Sequence, residues 1–116
     1  MNTPPPAPSG RNEAAGSFQL VASANGRFAA RGPLTFATAR EAREQGLRSL
    51  ASAAAHELEV DCGGISASDS AGLAVLLDWL GAAKRAGRSL RYRQLPEGLV
   101  ALGRISEVDE LLERGV

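Results

Sequence analysis

The sequence predicts an α/β domain, a mixed four-stranded sheet with helices packed against it, in the order β-β-α-β-α-β-α. Three observations carry this. Two short strand-like runs flank Asn25-Gly26, a strong hairpin-turn signal. Leu73, Leu76, Leu77 and Leu80 follow the i, i+3, i+4, i+7 spacing of a helix with one apolar side. Strand-like runs at residues 57–62 and 90–94 lie on either side of that helix, which implies parallel neighbours joined by a right-handed crossover.

Residues 1–17 hold Pro4, Pro5, Pro6, Pro8, Gly10 and Gly16 and cannot bury enough apolar surface to order themselves. They read as a disordered tail, with a proline-rich docking peptide as the functional alternative. Residues 18–116 then form the single domain. Residues 18–22 form the first strand, with Phe18, Leu20 and Ala22 on one side, and residues 27–31 the second, ended by Gly32-Pro33. Thr38-Ala39-Arg40-Glu41 fits a capping box that opens a helix to about residue 55. Ala42, Leu47, Leu50, Ala51 and Ala54 mark its buried side, Glu44 and Arg48 form a favourable pair one turn apart, and Gly46 weakens it slightly.

The third strand ends at Cys62, and Gly63-Gly64 lets the chain leave into a connecting loop over residues 65–69. The second helix runs from about residue 70 to 86 and stops at Gly87. Pro96 suits the first position of a third helix carrying Leu99, Val100 and Leu102. Ser106-Glu107-Val108-Asp109 resembles another helix start, after which Leu111 and Leu112 close the core.

The chain's 116 residues suit one domain, and 44% apolar with 22% charged residues is ordinary for a globular protein. Thirteen basic and thirteen acidic residues give zero net charge, so there is no global attraction to nucleic acid or anionic lipid. One cysteine excludes an internal disulfide and fits a reducing compartment. No apolar stretch approaches the roughly 20 residues of a membrane span, and the N-terminus is not that of a signal peptide. A cytoplasmic protein is expected.

The informative stretch is Asp69-Ser70-Ala71-Gly72-Leu73, where a strand and loop lead into an apolar helix. Ser70, at or beside the N-cap, can satisfy an exposed helix amide, and Asp69 sets negative charge near the positive helix end. Gly72 removes a side chain in the first turn, so another backbone can approach. Alone, these residues read as a cap and a packing contact. In context they read as a docking point. Val75, Trp79 and Ala82 form a second apolar stripe on the same helix. Trp79 is either an exposed interface anchor or a side chain packed under the third helix.

With Leu76-Leu77 and Ala83-Lys84-Arg85-Ala86-Gly87 downstream, this stretch resembles the STAS family, the fold of anti-sigma factor antagonists and sulfate-transporter tails. The resemblance spans roughly residues 18–113. Within the family, the run from Gly72 to Leu77 and the pattern at residues 99–106 are most similar to the cytoplasmic STAS subunit of Mla-type phospholipid-trafficking ABC transporters. That resemblance implies a non-enzymatic accessory subunit serving outer-membrane lipid asymmetry. It implies an ATPase partner and a place peripheral to the inner membrane through the complex. The footprint on that partner is Asp69, Ser70, Ala71, Gly72, Leu73, Val75 and Trp79. In phosphorylated relatives a Ser or Thr directly after the Asp is the acceptor. Ser70 matches it, so the alternative is an anti-sigma factor antagonist controlled by an anti-sigma factor kinase.

Other chemistry fails on the residues available. His56, the only histidine, lies at the opposite end of the third strand from Ser70, and no nucleophile elbow surrounds that serine. No phosphate-binding or dinucleotide glycine motif occurs, and Cys62 with one histidine makes no zinc site, so neither cofactor nor metal is expected. Lys84, Arg85, Arg88, Arg91 and Arg93 surround Tyr92, but a single tyrosine on a neutral chain argues for a solvated face, with proximity to an anionic membrane leaflet the modest alternative.

Overall fold

In the computed structural model, residues 16–116 are described, and the expected tail and its docking-peptide alternative lie outside them apart from Gly16 and Ser17. Four strands, β1 (Gln19–Ala24), β2 (Arg27–Leu34), β3 (Glu57–Ser68) and β4 (Ser89–Arg93), lie side by side in the order β1-β2-β3-β4. The β1–β2 hairpin is antiparallel and β3–β4 parallel, as expected, and β2–β3 is parallel as well. Among the described residues the helices follow the expected order: α1 (Ala39–Ser52), α2 (Ser70–Arg85), α3 (Glu97–Ile105) and the short α4 (Asp109–Arg114).

The sheet alternates cleanly. Phe28 and Ala30, Val60 and Cys62, and Leu90 and Tyr92 are buried, while Arg27, Arg31, Arg91 and Arg93 are exposed on the other side. The Tyr92 hydroxyl donates to the Leu76 carbonyl of α2 at 2.6 Å, which fixes that helix over β4.

Both central strands run further than expected. Gly32-Pro33 does not end β2, because β1 pairs no further than Arg31 and the missing Pro33 amide falls where that edge is unpaired. Likewise Gly63-Gly64 does not end β3. The ladder slips there, from Ala29↔Asp61 to Arg31↔Gly64, and the inward positions move from Val60 and Cys62 to Ile65. This is a bulge, not an exit, and it changes the face parity as far as Ile65, after which the ladder shifts again between Gly32↔Ile65 and Pro33↔Ala67. The expected loop at residues 65–68 is therefore strand, and Leu34 and Ser68 end as neighbours. Cys62 sits within the strand, not at its end.

Helix α1 departs from expectation in its cap and its buried side. Thr38 holds the N-cap position but makes no cap bond; its hydroxyl donates to the Pro33 carbonyl at 2.8 Å and accepts from the Thr35 amide at 3.0 Å. Ala42, Gly46 and Leu50 are buried, Leu47 is half-buried, and Ala51 and Ala54 are exposed, the last beyond the helix end. Glu44 and Arg48 form no ion pair; Arg43 instead pairs with Asp78 of α2 at 2.9 Å.

Gly46 is a contact, not a weakness. A Cβ there would lie 2.0 Å from the ring of Trp79. Trp79 is fully buried between α1 and α2, tilted against Phe18 at 6.0 Å, with its indole N–H on the Arg43 carbonyl at 3.3 Å. It packs under the first helix, which overturns both the exposed-anchor reading and packing under the third.

Two smaller corrections complete the fold. Pro96 is the N-cap of α3 with extended ψ, so the helix starts at Glu97. Leu112 is buried but Leu111 is 41% exposed.

Replacing Gly46 by Ala should cost about 1–3 kcal/mol by overpacking the Trp79 ring, read as a lower urea midpoint. Gly98→Ala is the control. Its Cβ would meet only the Ser68 hydroxyl at 3.7 Å, and stability should hold or rise.

Candidate functional site

The start of α2 is built around one carboxylate. Asp69 is the N-cap, in extended conformation, and its Oδ1 accepts from the amides of Ala71 at 2.9 Å and Gly72 at 3.1 Å. Its Oδ2 accepts from the Phe36 amide at 3.0 Å, in the loop between β2 and α1. The same side chain thus satisfies two orphan helix donors and ties down a loop 33 residues away in sequence. These N–H donors, Phe36 first and then Gly72, hold the Asp69 carboxyl below the ordinary aspartate range, against a small opposing effect of burial.

The loop is held from its other side by Thr38, whose hydroxyl bridges Pro33 and Thr35. Beneath it, Gly72 lies against the end of β2, where a Cβ would meet the Leu34 carbonyl at 2.1 Å. This close approach is what Gly72 was expected to permit, and the long β2 supplies the backbone that approaches.

Ser70 is the first helical residue, not the cap. It is exposed, and among the described residues its hydroxyl has no hydrogen-bond partner. Ala71 is half-buried, and Gly72 and Leu73 are buried. Val75 and Trp79 are 3% and 0% exposed. Neither can offer a broad contact surface, so the exposed part of the site does not extend along α2 to Trp79.

What the sequence did not reveal is Phe36, 84% exposed at the loop pinned by Asp69. With Ala39, Ala71 and Ala74 it forms the apolar wall of a shallow groove of about 390 Å³, with Val75 beneath and Arg40, Arg43 and Asp78 at the rim. The only hint was an aromatic residue in a segment with no strand or helix pattern, and it became legible once Asp69 was seen to bond its backbone.

His56 and Ser70 are not brought together. All of β3 separates His56 from Ser70, roughly 36 Å at strand rise. Burial, with Asp61 adding to it, pushes the Cys62 thiol up to about 12. No group of acidic, histidine or cysteine side chains that could hold a metal occurs among the described residues. Tyr92 is buried and the Arg88 guanidinium donates to the Leu50 carbonyl, so the basic cluster has no exposed stacking aromatic. No helix among the described residues is long and apolar enough to cross a membrane.

The linkage of Asp69 to stability has a definite sign. A carboxyl held low in the folded state stabilises fully above the unfolded value near 3.9 and loses that contribution as pH falls through the lower folded value. The gap in urea midpoint between the parent and Asp69→Ala should be constant from neutral pH to about pH 5 and close in stronger acid. A gap unchanged at the lowest pH would assign the effect to something other than the carboxylate.

The fold has relatives. The structure of the anti-sigma factor antagonist SpoIIAA in its unphosphorylated form superposes with a TM-score of 0.59 at 14% identity, covering 83% of this chain and 84% of that one. The structure of SLC26A9 gives 0.57 at 18% identity over 76% of this chain. Murine Slc26a9, an anion transporter in the inward-facing state, gives 0.55 at 16% identity over 77%. The chain spans only 17% and 14% of the length of those two chains. At these identities the likeness is one of fold. No curated protein matches the sequence. The family model described as "Mlab, STAS domain" matches residues 20–113, nearly all of the described chain, and the protein therefore belongs to the STAS domain family through its MlaB-type model.

Proposed function

We propose that this chain is a non-enzymatic accessory subunit that docks, through the exposed start of α2, onto the ATPase of an Mla-type phospholipid ABC transporter. It would act in the cytoplasm, beside the inner membrane through its complex, in the upkeep of outer-membrane lipid asymmetry. One observation carries the reading. Ser70 is a free, neutral hydroxyl on a helix end that Asp69 and Gly72 hold rigidly, and the MlaB-type family model covers that same stretch. Rigid presentation lowers the entropy lost on association, so even a small footprint can bind specifically. The footprint is Asp69, Ser70 and Ala71 at the surface, with Gly72 and Leu73 setting the geometry from below.

A second reading is favoured by the same exposed hydroxyl. As an anti-sigma factor antagonist, the chain would accept phosphate at Ser70 from an anti-sigma factor kinase. The phosphate would add nearly two negative charges beside Asp69 and repel a surface fitted to the neutral hydroxyl.

Ser70→Arg should abolish co-purification with the transporter ATPase while thermal unfolding stays close to the parent, because residue 70 is exposed and no fold contact depends on its side chain. A complex that survives this change would refute the docking assignment. Intact-mass measurement after incubation with cellular kinases and ATP checks the alternative: a phosphate lost on Ser70→Ala supports it, and no added mass excludes it.

A further inference from the structure

Phe36 is a large apolar side chain held out in solvent by a fixed backbone. Its amide is bonded to Asp69 at 3.0 Å, and the Thr38 hydroxyl closes the same loop onto Pro33 and Thr35. The other exposed large hydrophobics, Val21, Ile105 and Leu111, lie on β1, at the end of α3 and on α4, away from this loop. Only Phe36 is coupled through a hydrogen bond to the cap of the helix that carries Ser70.

The charged groups around the groove are not all paired. Arg43 is spent on Asp78 at 2.9 Å. Asp69 keeps its negative charge, but both its oxygens are taken up by backbone N–H donors and it makes no ion pair among the described residues. Arg40 is exposed at the rim and has no ion-pair partner among the described residues, its neighbours Glu41 and Glu44 included. The groove therefore has apolar walls, a shallow shape suited to a side chain and not an enclosed ligand, and one rim guanidinium without an ion-pair partner among the described residues.

Building on the docking reading above, we infer that this groove receives one apolar side chain of the ATPase subunit, seated against Phe36 and flanked by a carboxylate that pairs with Arg40. Apolar anchors at a rigid site set how long a complex lasts, and rim charges set how fast it forms and how strongly salt opposes it. The two residues thus make separable contributions.

The test is binding of the purified ATPase subunit to the full chain, with association and dissociation rates measured at low and high salt. Phe36→Ala should weaken binding roughly tenfold or more, mainly by faster dissociation. Arg40→Glu should slow association roughly tenfold at low salt and reverse or flatten the salt dependence. A merely structural role for Arg40 would leave that dependence unchanged. If Ser70→Arg abolishes the complex but both variants bind within about twofold of the parent, this inference falls and the docking reading stands. If Ser70→Arg binds normally, both fall. Faster association of Arg40→Glu would show that the partner presents a basic group and overturn the inference. Removing residues 2–15 offers one further outcome: a roughly tenfold gain in affinity would assign the groove to the chain's own N-terminal segment instead.

Discussion

Helix α2 can lie where it does only because two glycines clear its path. At its start Gly72 lets the helix meet the Leu34 carbonyl of β2, and across its middle Gly46 of α1 leaves space for the Trp79 ring. A single Cβ at either place would sit at 2.1 or 2.0 Å from its neighbour, far inside van der Waals contact. Interiors are close-packed, so such a clash can be relieved only by moving the helix. The two contacts fix both the approach of α2 to the sheet and its spacing from α1. The groove at Phe36 and the exposure of Ser70 both follow from that placement.

Asp69 then converts placement into rigidity. Helix packing alone would leave the loop after β2 free to move, since its side chain Phe36 is almost wholly exposed. The carboxylate removes that freedom with one hydrogen bond to the loop, while its other oxygen caps the helix. The surface ion pair between Arg43 and Asp78 joins the same two helices, but both side chains are about half exposed, and such pairs contribute roughly 0–1 kcal/mol. The buried Trp79 contact and the Asp69 bonds do more of the work of holding the groove's walls together.

The order of elements along the chain, the hairpin and the site's helix start were legible because each rests on a local pattern: Asn25-Gly26 for the hairpin, apolar spacing from Leu73 to Leu80 for α2, Gly87 for its end. The errors arose where a local signal meets a tertiary demand. Glycine pairs and Gly-Pro usually end strands, yet Gly63-Gly64 and Gly32-Pro33 lie inside β3 and β2, where the ladder shifts register around them. Thr38 through Glu41 has the composition of a capping box, but the Thr38 hydroxyl is used by Pro33 and Thr35. Gly46 looks like a helix weakness unless one knows that Trp79, 33 positions on, needs the space. Phe36 was missed because exposure is a property of the assembled surface and leaves no spacing signature.

The distinction between Asp69 and Ser70 matters most for what this surface can do. Had Ser70 been the cap, its hydroxyl would have been committed to a helix amide, and any partner or phosphate would have competed with the fold for it. The cap is Asp69, and the three N–H groups it holds leave the Ser70 hydroxyl free at the surface. The cap and the exposed hydroxyl are thus carried by adjacent residues. Asp69 sets where the helix begins and where Phe36 points. Ser70 is constrained by neither, so its size, polarity or charge can be changed at the surface while the scaffold beneath stays fixed. A change at residue 70 therefore need not pass its cost to the core.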